Sequence, residues 1–233
     1  MSLMSTLSRD ECWEIYNDVL LTKNPDRLRK LCKEDLFFLL VVALRRKDAD
    51  NDFVFDRCRE VEKNPDNHMN LWSREHYKSS IGSFALIIQE VLRDPEVTIG
   101  IFSHTRPIAK AFLFAIKTEL ETNSFIKDLF KDVLYDDPQK ESKKWSLDDG
   151  LIVKRKSSAP TCTLEAWGLV DGQPTSKHFA ILNYDDIVTL ASVTSPEMIE
   201  KTVNAWRVSL NLGSEATGKP CRKRFWGTRY HQK

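Results

Sequence analysis

The stretch Leu71-Trp72-Ser73-Arg74-Glu75-His76-Tyr77-Lys78-Ser79-Ser80 leads a cation and two hydroxyls into a segment whose apolar residues recur at helical spacing. Those residues are Ile81, Phe84, Ala85, Ile88, Val91 and Leu92, and the pattern predicts a strand-to-helix turn suited to phosphate. Free N–H groups and the positive dipole end at a helix N-terminus favour an anion. Lys78 adds a point charge for the outer phosphates, and the hydroxyl of Ser79 is placed to ligate magnesium. The generic phosphate loop G-x-x-x-x-G-K-[ST] has glycine where this chain has Trp72 and Tyr77, so only Lys78 and Ser79 fit it. Glycine is wanted there because the backbone approaches the phosphates closely, often with positive φ. On residue types alone, the stretch is either a phosphate loop or a capped surface helix.

A chain of 233 residues with 41% hydrophobic residues can bury a full core, as one large domain or one with a small appendage. Lys+Arg 35 against Asp+Glu 34 leaves a formal charge of +1, so any nucleic-acid contact must be local. The cysteines Cys12, Cys32, Cys58, Cys162 and Cys221 are odd in number and contain no C-x-x-C. That argues against a disulfide framework and a zinc site and points to a reducing compartment. The longest apolar run, Leu36 to Leu44, is about half of a bilayer span and ends in Arg45-Arg46-Lys47, so it is expected as a buried helix. No secretory signal is read at the N-terminus, and no membrane partner is expected.

Taken in order, the chain opens with helices. Met1-Ser2-Leu3 reads as an expression scar before a native Met4. Ser8 with Glu11 is a capping-box pattern, followed by Cys12, Ile15, Tyr16, Val19 and Leu20 at helical intervals. A second helix is expected from Pro25 to Lys47 and a third from Phe53 to Glu62, with Lys63 to Asn70 as a turn-rich connection. Residues 1–66 therefore read as a helical N-terminal region and residues 67–233 as the core.

Within that core, Val97, Ile99 and Ile101 alternate as a strand ending at Ser103-His104-Thr105-Arg106, and Pro107 to Leu120 reads as the helix after it. Asp136 to Gly150 is polar and predicts a surface loop with one short helical turn. Leu151 to Lys156 and Thr161 to Leu169 are expected as strands joined across Ser157-Ser158-Ala159-Pro160. The series predicts an α/β fold, a mainly parallel sheet with helices on both faces.

The second anchor is Phe179-Ala180-Ile181-Leu182-Asn183-Tyr184-Asp185-Asp186. An apolar run of this length reads as a buried parallel strand, and acids at its carboxyl end fall where open α/β sheets bind ligands. Asp185 is then a candidate for holding magnesium and Asp186 for orienting an attacking water, unless the pair only starts a turn.

Taken together, Arg74-Glu75-His76-Tyr77-Lys78-Ser79, Tyr184-Asp185-Asp186 and Phe225-Trp226-Gly227-Thr228-Arg229-Tyr230-His231 resemble the ATPase domain of tailed-phage large terminase subunits. In that family an R-x-H-x-K-[ST] loop often replaces the usual glycines. The resemblance covers the chain from about Asn67 onward. It implies a RecA-like P-loop NTPase of the ASCE type, with ATP and Mg2+, that drives double-stranded viral DNA into a preformed capsid. By that resemblance Ser73 to Ser80 bind nucleotide, Lys78 and Arg74 face the outer phosphates, and Ser79 and Asp185 hold the metal. Asp186 stands where many relatives place a catalytic glutamate, and Gly227-Thr228-Arg229 resembles the motif coupling hydrolysis to motion.

The implied partners are the portal protein, the small terminase subunit and further copies in a ring on the procapsid, with a monomer in isolation. The implied place is the cytoplasm of an infected bacterium rather than the mature virion. Only Gln232 and Lys233 follow His231, so the nuclease domain of such subunits is expected to be absent.

Arg106 is a candidate arginine finger for a neighbouring subunit, or a solvated loop residue. Lys154-Arg155-Lys156 and Arg222-Lys223-Arg224 are candidate contacts to DNA phosphates, or solvated strand ends. Two other classes fit the same residues: a helicase or translocase core, and a degenerate domain that only docks on a portal or small terminase subunit.

Overall fold

Ser8 opens the first helix as its sequence predicts. In a computed structural model describing residues 6–214 and 220–228, α1 (Arg9–Thr22) starts with a complete capping box between Ser8 and Glu11. Met1–Leu3, Arg229 and the end of the expected last strand, Tyr230 and His231, lie outside the described residues.

Asn24 caps α2 (Pro25–Glu34), with proline in the first turn. The single helix expected from Pro25 to Lys47 breaks at Asp35, which is extended at φ −119° and ψ 107°. Its buried carboxylate accepts hydrogen bonds from the Phe38 N–H at 2.9 Å, the Tyr16 hydroxyl at 2.6 Å and Arg59 Nη2 at 2.9 Å. A carboxylate this deep needs a cation and donors, and turning the chain at Asp35 supplies them. The chain resumes as α3 (Leu36–Phe38), widens into a π-helical segment (Leu39–Ala43), and continues to α4 (Asp52–Lys63).

Next comes β1 (His68–Trp72), the phosphate-loop stretch, a second π-helical segment (Ser80–Ala85) and α5 (Leu86–Arg93). β2 (Ile99–Ser103) leads to α6 (Arg106–Thr122), α7 (Ser124–Leu129) and the short α8 (Pro138–Glu141). Then follow β3 (Trp145–Ser146), β4 (Gly150–Leu151), β5 (Leu164–Gly168), β6 (Ile181–Asp185), α9 (Pro196–Ser209) and β7 (Arg222–Thr228). The strands expected over Leu151–Lys156 and Thr161–Leu169 are therefore shorter, and Lys154-Arg155-Lys156 lies outside any strand. Sequence reasoning did not anticipate α7, α9 or β3.

The sheet has seven strands in the order β1-β7-β6-β2-β5-β4-β3. The first five are parallel, and β4 and β3 add an antiparallel edge. The fold is thus α/β, with a mostly parallel sheet flanked by helices. Side chains alternate across a strand, and here each parity meets its own apolar cluster. Ile99, Ile101, Ile181 and Trp226 join the large core that also holds Tyr16, Phe38 and Ile88. Phe102, Leu182 and Tyr184 form a second core, against which Phe225 and α9's Ala205 and Trp206 pack. The N-terminal helices share the larger core with the sheet. Among the described residues, no helix is long and apolar enough to cross a membrane.

One of the candidate DNA contacts proves to be internal, and a partly exposed neighbour is ion-paired beside it. Arg224 is fully buried, with Nη2 2.6 Å from Glu90 and Nε 2.7 Å from Asp66. Arg222 Nη2 donates to Glu90 at 2.9 Å. The DNA reading of Arg224 is corrected: its cation ties β7 to α5. Burial alone would raise the Glu90 carboxyl, but Arg224 and Arg222 outweigh it and hold it below its ordinary value. A carboxylate lowered on folding contributes stability above its unfolded pKa and loses it as pH falls through the folded one. Glu90→Gln is expected to cost about 3–5 kcal/mol near neutral pH. The gap to the parent chain should narrow below about pH 4, as measured by urea unfolding; a constant gap across that range would contradict the ion pairing.

Candidate functional site

Parallel strands point their carboxyl ends the same way, so β1, β6 and β7 deliver Ser73, Asp186 and Thr228 to one edge of the sheet. There the whole Ser73–Ser80 loop, Asp186 and Thr228 line a single cavity of about 290 Å3. This volume lies near the lower end of small-molecule pockets. The strand carrying Thr228 lies between the loop strand and the acidic strand.

Lys78 is the hub. Only 7% exposed, its ammonium lies 2.5 Å from Asp186 Oδ1 and 3.3 Å from Asp185 Oδ1, and donates to Thr228 Oγ1 at 3.1 Å. The Thr228 N–H and hydroxyl each donate to Asp186 Oδ1 at 2.9 Å. Asp185 is fully buried; Ser83 Oγ donates to its Oδ2 at 2.5 Å, while Oδ1 accepts no hydrogen bond. Burial pushes the Asp185 carboxyl up and Asp186 adds to that, against the pull of Lys78 and the Ser83 and Ser79 hydroxyls. The sequence-predicted residues Lys78, Ser79, Asp185, Asp186 and Thr228 are thus brought together.

The loop reaches this form without glycine. Glu75 and Tyr77 sit at φ 64° and 57°, and Asp186 at φ 45°. Tyr77 occupies the second glycine position of the generic motif, and the left-handed conformation costs a non-glycine residue about 1–2 kcal/mol. The helical N-terminal region braces it. The Tyr77 hydroxyl donates to the Asp48 carbonyl at 2.7 Å, and the His76 ring stands edge-on to Phe53 with centroids 5.2 Å apart. A hydrogen bond of 2.7 Å between His76 Nδ1 and the Arg74 carbonyl closes the turn.

A divalent cation fits the donor set. Among the described residues no cluster of three or more His, Cys, Asp or Glu could cage a metal. Magnesium, however, commonly uses one or two protein oxygens, with waters and substrate phosphates completing its shell. The Ser79 hydroxyl, on the cavity lining, and Asp185 Oδ1, which accepts no hydrogen bond and faces Lys78, would be the oxygens to hold it.

The remaining candidates lie elsewhere. Arg106, at the start of α6, stacks over Trp167 at 4.8 Å and donates to the Asp148 carbonyl at 3.0 Å, outside the cavity lining. Lys154 donates to the Lys131 carbonyl, and Arg155 to the Thr161 and Ala159 carbonyls. The Lys156 N–H meets Glu96, which precedes β2, so this cluster sits at the amino ends of the strands, away from Lys78. Gly227 packs against Leu71, where a Cβ would come within 2.7 Å of Cδ2.

Sequence reasoning missed Ser83 and Asn183. For Asn183 the available signal was a polar residue inside a run otherwise read as buried strand, because buried polar groups are hydrogen-bonded.

Scanned against protein-family models the chain matches none, and no curated protein matches it. The functional reading therefore stands on the geometry of the site and on the order of the motifs.

Glu75 is exposed, so it isolates the backbone cost of the loop. Glu75→Gly is expected to stabilise the fold by about 0.5–1 kcal/mol, and Glu75→Val to destabilise it by more than about 1 kcal/mol. Equal stabilities in urea would show that the loop does not need this conformation.

Proposed function

We propose that this chain is a magnesium-dependent ATP-hydrolysing domain of the RecA-like P-loop class, serving as the motor of a phage large terminase. One observation carries the reading: Lys78, placed on a strand-loop-helix turn, meets Asp185 and Asp186 from a neighbouring part of the sheet at the mouth of a cavity lined by Ser73–Ser80. The strand carrying Thr228 lies between the loop strand and the acidic strand, so it borders both halves of the site.

In this reading Lys78 leaves its carboxylate partners to meet the outer phosphates, and Arg74, also lining the cavity, adds a second cation. Ser79 and Asp185 would hold the magnesium ion, which when bound neutralises charge on the phosphates. Asp186, partly exposed and oriented by Thr228, orients the attacking water. Thr228 contacts both Lys78 and Asp186, so exchange of partners at Lys78 is felt directly on β7. The motif order shared with large terminases supports DNA translocation as the use of that hydrolysis. It also supports a ring of copies on a portal, with a small terminase subunit, in the bacterial cytoplasm.

The test is magnesium-dependent ATP binding and hydrolysis by the parent chain, Lys78→Ala and Ser79→Ala, each checked for folding. Lys78→Ala leaves Asp185 buried without its cation, so Ser79→Ala is the milder probe. Either change is expected to lower kcat/KM by about 100-fold or more. A folded parent chain that binds no magnesium-ATP would overturn the reading in favour of a docking module.

A further inference from the structure

The polar residues behind Asp185 form a chain whose proton directions are all determined. Trp226 Nε1 donates to Asn183 Oδ1 at 2.9 Å, Asn183 Nδ2 donates to Ser83 Oγ at 3.1 Å, and Ser83 Oγ donates to Asp185 Oδ2 at 2.5 Å. All four side chains are buried. An indole can only donate, so the Asn183 carbonyl must face Trp226 and its amide must face Ser83. Ser83 then has its single proton left for Asp185. With Oδ2 occupied, Oδ1 is the oxygen left facing Lys78.

This chain joins three elements. Ser83 lies in the π-helical segment that begins two residues after Lys78, Asn183 and Asp185 lie on β6, and Trp226 immediately precedes Gly227 and Thr228 on β7. π-Helical turns are rare and concentrate at functional sites; this one turns Ser83 toward the sheet. Contact is close, because a Cβ on Gly82 would fall 2.2–2.5 Å from atoms of the Trp226 ring. A helix resting directly on the indole cannot shift without moving it.

From this geometry, we infer that Ser83, Asn183 and Trp226 are positioning residues that hold Asp185 in its cation-binding orientation and tie that orientation to the strand bearing Gly227 and Thr228. The inference rests on the nucleotide reading of the site for the identity of the ligand. Because coupling between two sites is reciprocal in binding free energy, a cation seated on Asp185 biases β7, and displacement of β7 weakens the cation's seat. Thr228 reports the state of Lys78 and Asp186 to the same strand, so β7 receives the site through two separate connections.

Two readouts separate this inference from the nucleotide reading. The first uses the nucleotide-free protein: hydrogen exchange of the Trp226 indole proton by NMR, with Trp226→Phe identifying the resonance. Ser83→Ala is expected to speed that exchange about tenfold or more, with Ser83→Thr restoring it. The second is Mn2+-dependent ATP binding followed by electron paramagnetic resonance. Ser83→Ala and Trp226→Phe are each expected to weaken it about tenfold, while ATP binding in chelator is unchanged.

Folded variants that leave both indole exchange and Mn2+-dependent binding at parental values overturn the inference. If the parent chain binds no ATP at all, the nucleotide reading falls. Indole exchange then decides alone: acceleration by Ser83→Ala supports the relay, and unchanged exchange overturns it.

Discussion

A carboxylate buried at the end of a sheet strand must be answered by a cation, and in this protein Lys78 answers Asp185. Isolated in the interior, that charge would cost several kcal/mol. The need for a partner constrains everything nearby. Lys78 reaches Asp185 only if the loop after β1 folds back over the carboxyl ends of the strands, which requires left-handed backbone at Glu75 and Tyr77. That conformation is held in turn by the Tyr77 hydroxyl on Asp48 and by His76 on Phe53. The N-terminal helices are thereby part of the site, although none of their residues lines it.

The same constraint explains which parts of the protein were legible from sequence. Lys78-Ser79 and Asp185-Asp186 stood out because each joins an element with clear periodicity to charged residues at its functional end. The sheet followed from alternation of strands and helices, and the first helix from a local capping pattern. What escaped were interactions with partners distant in sequence. Asp35 breaks a helix because Arg59 and Tyr16 are waiting in the core, and no local pattern announces them. Arg222 and Arg224 look like surface cations until Glu90 and Asp66 are placed beneath them. The missing glycines look like a defect until the bracing contacts from the Asp48 carbonyl and the Phe53 ring are in view.

A buried polar chain from Trp226 to Asp185 also alters how the larger core should be understood. Its apolar residues provide most of the burial, but they impose no direction on Asp185; Ser83 and Asn183 do. Buried polar networks of this kind rigidify a core and select one arrangement, which suits a carboxylate whose Oδ2 is bonded to Ser83 while its Oδ1 accepts no hydrogen bond. Gly82 belongs to the same device, since close approach of helix to indole is what brings Ser83 within reach.

The charges around the cavity lead one step further. Arg74, Lys78, Glu75 and Asp186 line the cavity and Asp185 lies 3.3 Å from Lys78, so two permanent cations meet three carboxylates where the proposed reading puts the phosphates. Lys78 is already engaged with both aspartates, and turning it toward a phosphate uncovers them. A polyanion entering alone would meet those two carboxylates as their cation withdrew. On that reading a divalent cation arriving with the phosphates would take over the charge that Lys78 gives up, and Asp185 Oδ1, left without a hydrogen bond, would be the oxygen to receive it. On the proposed reading, dependence on magnesium would follow from the balance of charge in the ligand-free site as much as from the chemistry of phosphoryl transfer.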